Sequence, residues 1–200
     1  MAYKEQDRKK VRMFSVKTGI YFSKIMTSPN KWTLVSLIPA ILAFYFLINE
    51  RFLLTAIMFV LFSFLDLVDG SVARVTGKVT KLGAYLDTIV DRYVEAIIIF
   101  GLLFASLPNF IFPIYIWVFL ALFGAMMTTY AKSATAEKEL MKEHPGSFFD
   151  RAERLVLLFV GILLAIVDPL FLSYILVLFA ILTNLSALQR IKIAVRSTKE

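Results

Sequence analysis

Asp66-Leu-Val-Asp69-Gly70-Ser-Val-Ala73-Arg74, eight further residues, and then Gly83-Ala-Tyr-Leu-Asp87-Thr-Ile-Val-Asp91 form the stretch on which the reading of this chain turns. Apolar runs lead into its first half and away from its second. By the i, i+3, i+4 rule Asp66, Asp69, Gly70, Ala73 and Arg74 share one helical stripe, and Gly83, Asp87 and Asp91 share another. A carboxylate placed in a transmembrane helix costs roughly 2.5 to 3.5 kcal/mol on insertion scales. Four together need a common reason, and a divalent metal is the simplest one.

The composition surrounding this stretch is that of an integral membrane protein. Of the 200 residues, 59% are hydrophobic and 18% charged, against about 45–50% and about 25% in soluble domains. Cysteine is absent, which excludes disulfides and thiolate metal sites, and the single His144 cannot build an imidazole cage. A bound metal must therefore be held by oxygen, which favours Mg, Mn or Ca over zinc or copper. No nucleic-acid partner is expected.

The predicted fold class is all-α: an integral membrane domain with six transmembrane helices preceded by an amphipathic interfacial helix. Apolar segments at 32–48, 52–75, 82–105, 110–131, 155–167 and 170–193 supply the spans, the fifth being short. One domain is expected over residues 1–200, with the bundle at 32–193 and the interfacial helix at 3–25. On that helix Val11, Phe14, Thr18, Tyr21, Phe22 and Ile25 share a face bordered by Lys10, Lys17 and Lys24, while Met13, Val16 and Ile20 fall on the far side. The N-terminal stretch does not read as a signal peptide, since its first apolar run comes late and no small-residue cleavage site follows. The connections at 49–51, 106–109 and 168–169 are terse. Of the 22 Lys and Arg only Arg51 falls on their side, so the positive-inside rule puts both termini and the charged loops in the cytoplasm.

With this topology the second span reaches Asp66 and Asp69 near its cytoplasmic end, and the third carries Asp87 and Asp91 in its first turns. The two pairs face each other across a hairpin, forming an oxygen-lined cup. Structural salt bridges to Arg74, Arg92 and Lys81 are one use of such acids. Two divalent ions are another, and can neutralise a diphosphate and hold attacking and leaving oxygens, which is most of what phosphoryl transfer needs. A cation transporter would set its carboxylates near the bilayer midplane on broken helices, whereas these cluster near one surface. A purely structural membrane protein is the third class.

The pattern Asp66-x2-Asp69-Gly70-x2-Ala73-Arg74-x8-Gly83-x3-Asp87-x3-Asp91 resembles, without a departure, the signature of the CDP-alcohol phosphotransferases, and Pro29-Asn30-x2-Thr33 ahead of the first span matches as well. The resemblance implies a membrane enzyme that moves the phosphatidyl-type group of a CDP-linked lipid, CDP-diacylglycerol or CDP-archaeol, onto a small alcohol and releases CMP. It implies that Asp66, Asp69, Asp87 and Asp91 ligate two Mg or Mn ions, that Asp91 also takes the acceptor's proton, and that the enzyme is a homodimer in the cell membrane. Residues Pro29, Asn30, Lys31, Trp32, Asp66, Gly70, Arg74 and Thr80 match positions that hold the CDP moiety. Thr80 also reads as an ordinary polar turn residue.

Later cations bear on the acceptor. Lys132, Arg151, Arg154 and Arg190 lie at cytoplasmic helix ends in contexts similar to those of the branch that makes phosphatidylinositol phosphate or its archaeal ether-lipid counterpart, where such residues grip an acceptor phosphate. Inositol 1-phosphate is the favoured acceptor and glycerol 3-phosphate the alternative. Thr135 departs from that branch, which often has Arg there. Basic residues at these ends also serve topology and lipid headgroups, and Arg154 has Asp150 at i, i+4 as a further partner.

Overall fold

A proline within the first apolar run decides how that run is built. The computed structural model describes residues 2–140 and 146–197. In it α2 (Pro29–Val35) and α3 (Leu37–Ile48) are two pieces of one apolar segment, Pro29–Ile48. Pro39 has no N–H to offer Val35, so the helix breaks one turn earlier, at Ser36. The Ser36 hydroxyl donates to the Thr33 carbonyl at 2.7 Å and so satisfies an acceptor that the break exposes. Pro29 itself sits at the first helical position, where a missing N–H costs nothing. The segment therefore begins three residues before the predicted 32.

The remaining helices are α1 (Ala2–Ile25), α4 (Phe52–Thr76), α5 (Lys81–Gly101), α6 (Ile114–Glu137), α7 (Arg151–Ala165) and α8 (Pro169–Ser197). No strand occurs among the described residues; Phe110 and Phe112 form an isolated bridge. Pro29–Ile48, α4, α6 and α8 are long and apolar enough to cross a membrane. Of the other predicted spans, α5 carries Asp87, Asp91, Arg92 and Glu95, and α7 has only 15 residues. The predicted span at 110–131 starts late, at Ile114. Pro113 blocks an earlier start, and Asn109 Oδ1 accepts the Ile114 N–H at 2.9 Å.

The chain forms two compact units, one of Met1–Ala43 with Ile57–Val94 and the other of Phe44–Ala56 with Glu95–Glu200. The core of the first is Trp32, Leu65, Val68 and Val72, with Phe22, Met26, Val35 and Phe64 packed against it. Phe22 meets the rings of Trp32 and Phe64 edge-on at 5.3 and 5.7 Å, and the Trp32 indole donates to the Met26 carbonyl at 3.0 Å. In the second unit α6 and α8 touch backbone to backbone: a Cβ on Gly124 would lie 2.5 Å from Thr183 Oγ1 and 2.9 Å from Asn184 N. Thr128 donates to the Thr183 carbonyl and Asn184 to the Leu120 carbonyl. Small residues with polar bridges are how apolar helices associate where burial from water supplies little force.

Helix α1 turns part of the face expected to meet lipid toward the protein instead. Thr18 and Gly19 are buried, and a Cβ on Gly19 would stand 2.5 Å from the Ser71 carbonyl oxygen of α4. The Ser15 and Ser71 hydroxyls meet at 2.8 Å. Thr18 and Phe22, predicted on the lipid face, thus belong to the protein contact, because close helix approach selects the small side chains. Met13, Phe14, Val16, Ile20, Tyr21 and Ile25 are left exposed, a broader apolar surface than the predicted stripe. The side chains of Lys10 and Val11 lie outside those described, as do His144 and Pro145, for which no role was expected.

Because the Gly19 contact is with backbone, relaxation is expensive. Gly19→Leu should lower stability by about 1 to 3 kcal/mol despite leucine's better helix propensity. Thermal unfolding in detergent and protease access to α1 measure this; an unchanged midpoint would contradict the close packing.

Candidate active site

The turn between α4 and α5 sets the two carboxylate pairs against each other. Helix α4 ends in a glycine cap: Gly77 takes φ +66°, a conformation L side chains rarely adopt, and the Lys78 N–H reaches back to the Ala73 carbonyl at 3.0 Å. Three residues later Thr80 caps α5, its hydroxyl accepting the Gly83 N–H at 3.0 Å. Two helix ends closed so tightly leave a short, defined connection. Asp66 and Asp69 on α4 then meet Asp87 on α5, with one carboxylate oxygen from each lying within 4.8 Å of the others. Asp91 follows one turn later on α5 and is buried, outside this group of three.

Three like charges at this spacing repel by roughly 3 kcal/mol per pair at an effective dielectric of about 20. Asp69 Oδ2 is buried with no hydrogen-bond partner in the protein. A buried, unsatisfied oxygen on a carboxylate that belongs to an acidic cluster is an arrangement that a divalent cation completes. The donor set is all oxygen, suited to a hard ion. The residues present therefore fit a metal centre.

Beside the acids lies a cavity of about 370 Å³, lined by Pro29, Asn30, Thr33, Asp69, Gly70, Ala73, Arg74, Lys78, Val79, Thr80, Gly83, Ala84 and Asp87. Two glycines keep it open. A Cβ on Gly70 would take up space against the Arg74 guanidinium at 3.4 Å, and one on Gly83 would stand 3.1 Å from both Asn30 Oδ1 and Thr80 Oγ1. Arg74 is oriented by its bond to Ser15 of α1 at 2.8 Å and by Ser71 at 3.3 Å. Of the residues predicted for nucleotide contact, Pro29, Asn30, Gly70, Arg74 and Thr80 thus share one cavity. Lys31 is exposed and Trp32 belongs to the core, neither lining it. Lys78 lines it without having been predicted, its ammonium tied to the Thr27 carbonyl at 3.2 Å. Only the basic character of the turn hinted at it.

The predicted acceptor cations all fall in the second unit, in four different settings. Lys132 is exposed on α6. Arg190 on α8 bonds through NH2 to Asp150 Oδ1, and its Nε is buried without a partner. Arg154 does not reach Asp150 with its side chain, as i, i+4 spacing allowed. Instead its Nε and Nη2 donate to the two carboxylate oxygens of Glu95, at 2.5 and 3.1 Å, fully buried. Glu95 is a fully buried carboxylate that itself needs a partner inside apolar packing. It sits mid-helix in an apolar run, four residues after Asp91, which was the signal for it in the sequence. Arg151 opens α7, half-buried, and the Thr135 hydroxyl turns back to the Ala131 carbonyl at 2.7 Å. Partial burial pushes the Asp150 carboxyl up, but the Ser147 hydroxyl and the Arg190 guanidinium outweigh it and hold it below the usual carboxylate range.

Comparison with known proteins adds an independent line. The model of the CDP-alcohol phosphatidyltransferase family matches residues 26–186. The archaetidylinositol phosphate synthase of Pyrococcus horikoshii is 30% identical over 156 residues, covering 77% of this chain and 79% of its own. A crystal structure of Mycobacterium tuberculosis phosphatidylinositol phosphate synthase with CDP-DAG bound aligns with a TM-score of 0.79 over 90% of this chain and 92% of that one, at 21% identity. A second structure of that protein, with manganese and citrate, aligns with a TM-score of 0.80 at 22% identity, over 90% and 88% of the two chains. Likeness at that identity concerns the fold.

Asp69→Asn should remove most of the affinity for Mn²⁺ while leaving the fold intact, since an amide keeps the shape but lacks the charge. Calorimetric or electron-paramagnetic titration of the purified protein with Mn²⁺ tests this, and undiminished binding would remove Asp69 from the metal centre.

Proposed function

This chain belongs to the CDP-alcohol phosphatidyltransferase family, and from that premise we propose that it transfers the phosphatidyl-type group of a CDP-linked lipid to inositol 1-phosphate, releasing CMP. The observation that carries the reading is the convergence of Asp66, Asp69 and Asp87 beside a cavity that Gly70 keeps open and Arg74 overlooks. A phosphorylated inositol acceptor is supported by the archaetidylinositol phosphate synthase among its relatives and by the set of later cations.

In this reading Asp66, Asp69, Asp87 and Asp91 would hold two divalent cations, Mg²⁺ or Mn²⁺. Such ions neutralise the diphosphate and the charge that builds on the leaving oxygen. The chain's own groups do the rest. Pro29, Asn30, Gly70, Arg74 and Thr80 seat the CDP moiety, Gly70 by leaving room for it and Arg74 by charge-assisted bonds to phosphate. Lys31 and Trp32 contribute from the same helix, Trp32 by fixing its position. Asp91 accepts the proton of the acceptor hydroxyl as that oxygen bonds to the lipid-bearing phosphorus, and the bond from this phosphorus to the bridging oxygen of CMP breaks. Burial keeps Asp91 away from bulk water, which limits hydrolysis of the CDP-lipid.

Lys132, Arg151 and Arg190 hold the acceptor's phosphate in this scheme. Arg154, already engaged by Glu95, serves by anchoring α7. The fold is read as six spans within one domain over residues 1–200: the four long apolar helices, together with α5, whose charges face the site, and short α7. The bundle occupies 32–193, and α1, read as 3–25, lies at the interface with its exposed apolar residues toward lipid. The positive-inside rule places both termini and the site in the cytoplasm. A homodimer in the cell membrane is part of the same proposal, and crosslinking in bilayers that yields only monomer would overturn it.

Asp91→Asn should abolish CMP release while CDP-lipid binding persists, because the amide cannot take the proton. A turnover assay paired with a binding titration checks both halves, and wild-type turnover would remove Asp91 as the base.

The acceptor is tested by headgroup. Inositol 1-phosphate should outperform glycerol 3-phosphate, serine and free inositol. Arg190→Gln should cost on the order of tenfold to a hundredfold in kcat/KM for inositol phosphate, as expected of a charge-assisted contact, with little change for the CDP-lipid. Preference for glycerol phosphate or serine would overturn the acceptor while leaving the transferase intact.

A further inference from the structure

One carboxylate in the second unit is built into a bracket around a proposed acceptor residue. Asp150 stands just ahead of α7, and its Oδ1 accepts the Ser147 hydroxyl at 2.6 Å and the Ser147 N–H at 3.4 Å. The same oxygen accepts the Arg190 NH2 group. The loop carrying Asp150 is fastened to α8 at neighbouring points. Ser186 donates to the Phe149 carbonyl at 3.2 Å, and the Phe148 N–H donates to Gln189 Oε1 at 3.2 Å. Residues 186, 189 and 190 share one face of α8 by helical spacing. Asp150 is thus held from below by Ser147 and from the side by a tethered loop.

We propose that Asp150 is a positioning residue for the acceptor: it fixes the Arg190 guanidinium in one orientation and so presents that group's remaining N–H donors to the acceptor's phosphate. This rests on the reading of Arg190 as an acceptor-phosphate ligand. An arginine carries five donors in a rigid fork on a long flexible stem, so a free side chain must be ordered each time it binds. Asp150 takes one donor, which orders the stem in advance. Nε stays buried with no partner in the protein, and a phosphate oxygen is the kind of acceptor that satisfies it. Asp150 itself does not touch the acceptor. A carboxylate that merely neutralised Arg190 would compete with the phosphate, and its removal would tighten binding.

The test uses the full-length enzyme in bilayer discs, with CMP release as the readout and the KM of inositol 1-phosphate and of the CDP-lipid measured separately. Asp150→Ala should raise the acceptor KM about tenfold, the low end of a charge-assisted contact, and leave the CDP-lipid KM unchanged. In an Arg190→Gln background it should add almost nothing, since the group it orients is gone. Asp150→Asn keeps the shape and still accepts from Ser147; it should show a smaller rise, and it carries the test if the alanine variant does not fold. A lowered or unchanged acceptor KM overturns the proposal, as does an equal rise in both KM values or an additive double mutant. If Arg190→Gln leaves the acceptor KM unmoved, the reading of Arg190 fails and this inference with it. If Arg190→Gln raises that KM and the Asp150 variants do not, the inference alone fails.

Discussion

A carboxylate set in an apolar helix is stable only where something answers its charge, and the rest of this structure is arranged around that constraint. Asp66, Asp69 and Asp87 converge to within 4.8 Å, and Asp69 keeps a buried oxygen with no partner in the protein. Repulsion at that range would drive the helices apart unless a cation enters. The hairpin holds them together by local means. The left-handed Gly77 closes α4 and Thr80 caps α5. The turn chemistry thus keeps the acids preorganised against their own repulsion.

The second unit answers its buried charges differently, with internal ion pairs. Arg154 and Glu95 neutralise each other completely out of solvent, and the bidentate geometry is what makes such a pair tolerable. Removing either partner alone would strand the other. Arg190 and Asp150 pair at a partly exposed place, where an arginine donor remains unused. The contrast separates an arginine committed to holding helices from one still able to take a ligand.

Small residues set the distances at which these groups work. Gly19 lets α1 lie on α4, which brings Ser15 to Arg74 and so orients the cation at the rim of the cavity. Gly83 leaves space between Asn30 and Thr80, and Gly70 leaves space beneath Arg74. Helix α1 and a glycine beside the acids therefore serve the same cavity, one by positioning its arginine and the other by leaving its floor bare.

The sequence by itself determined the helical membrane class, the acid stripes, the glycine and arginine beside them and the family signature, because each depends on helical spacing within a few residues. The bounds of the four long apolar helices were also legible to within a few residues, missing at 29 and 114, where prolines and the Asn109 side chain decide the start. Which face of α1 turns inward was decided only by the tertiary structure: Gly19 faces α4 because a backbone 2.5 Å from a Cβ position admits no side chain. The choice of Glu95 over Asp150 as the partner of Arg154, and of Arg190 for Asp150, likewise lies beyond the sequence. Local spacing favoured the nearer acid, but two charges buried in apolar packing cannot be left unanswered, and the desolvation of Glu95 outweighs the convenience of a neighbour four residues away.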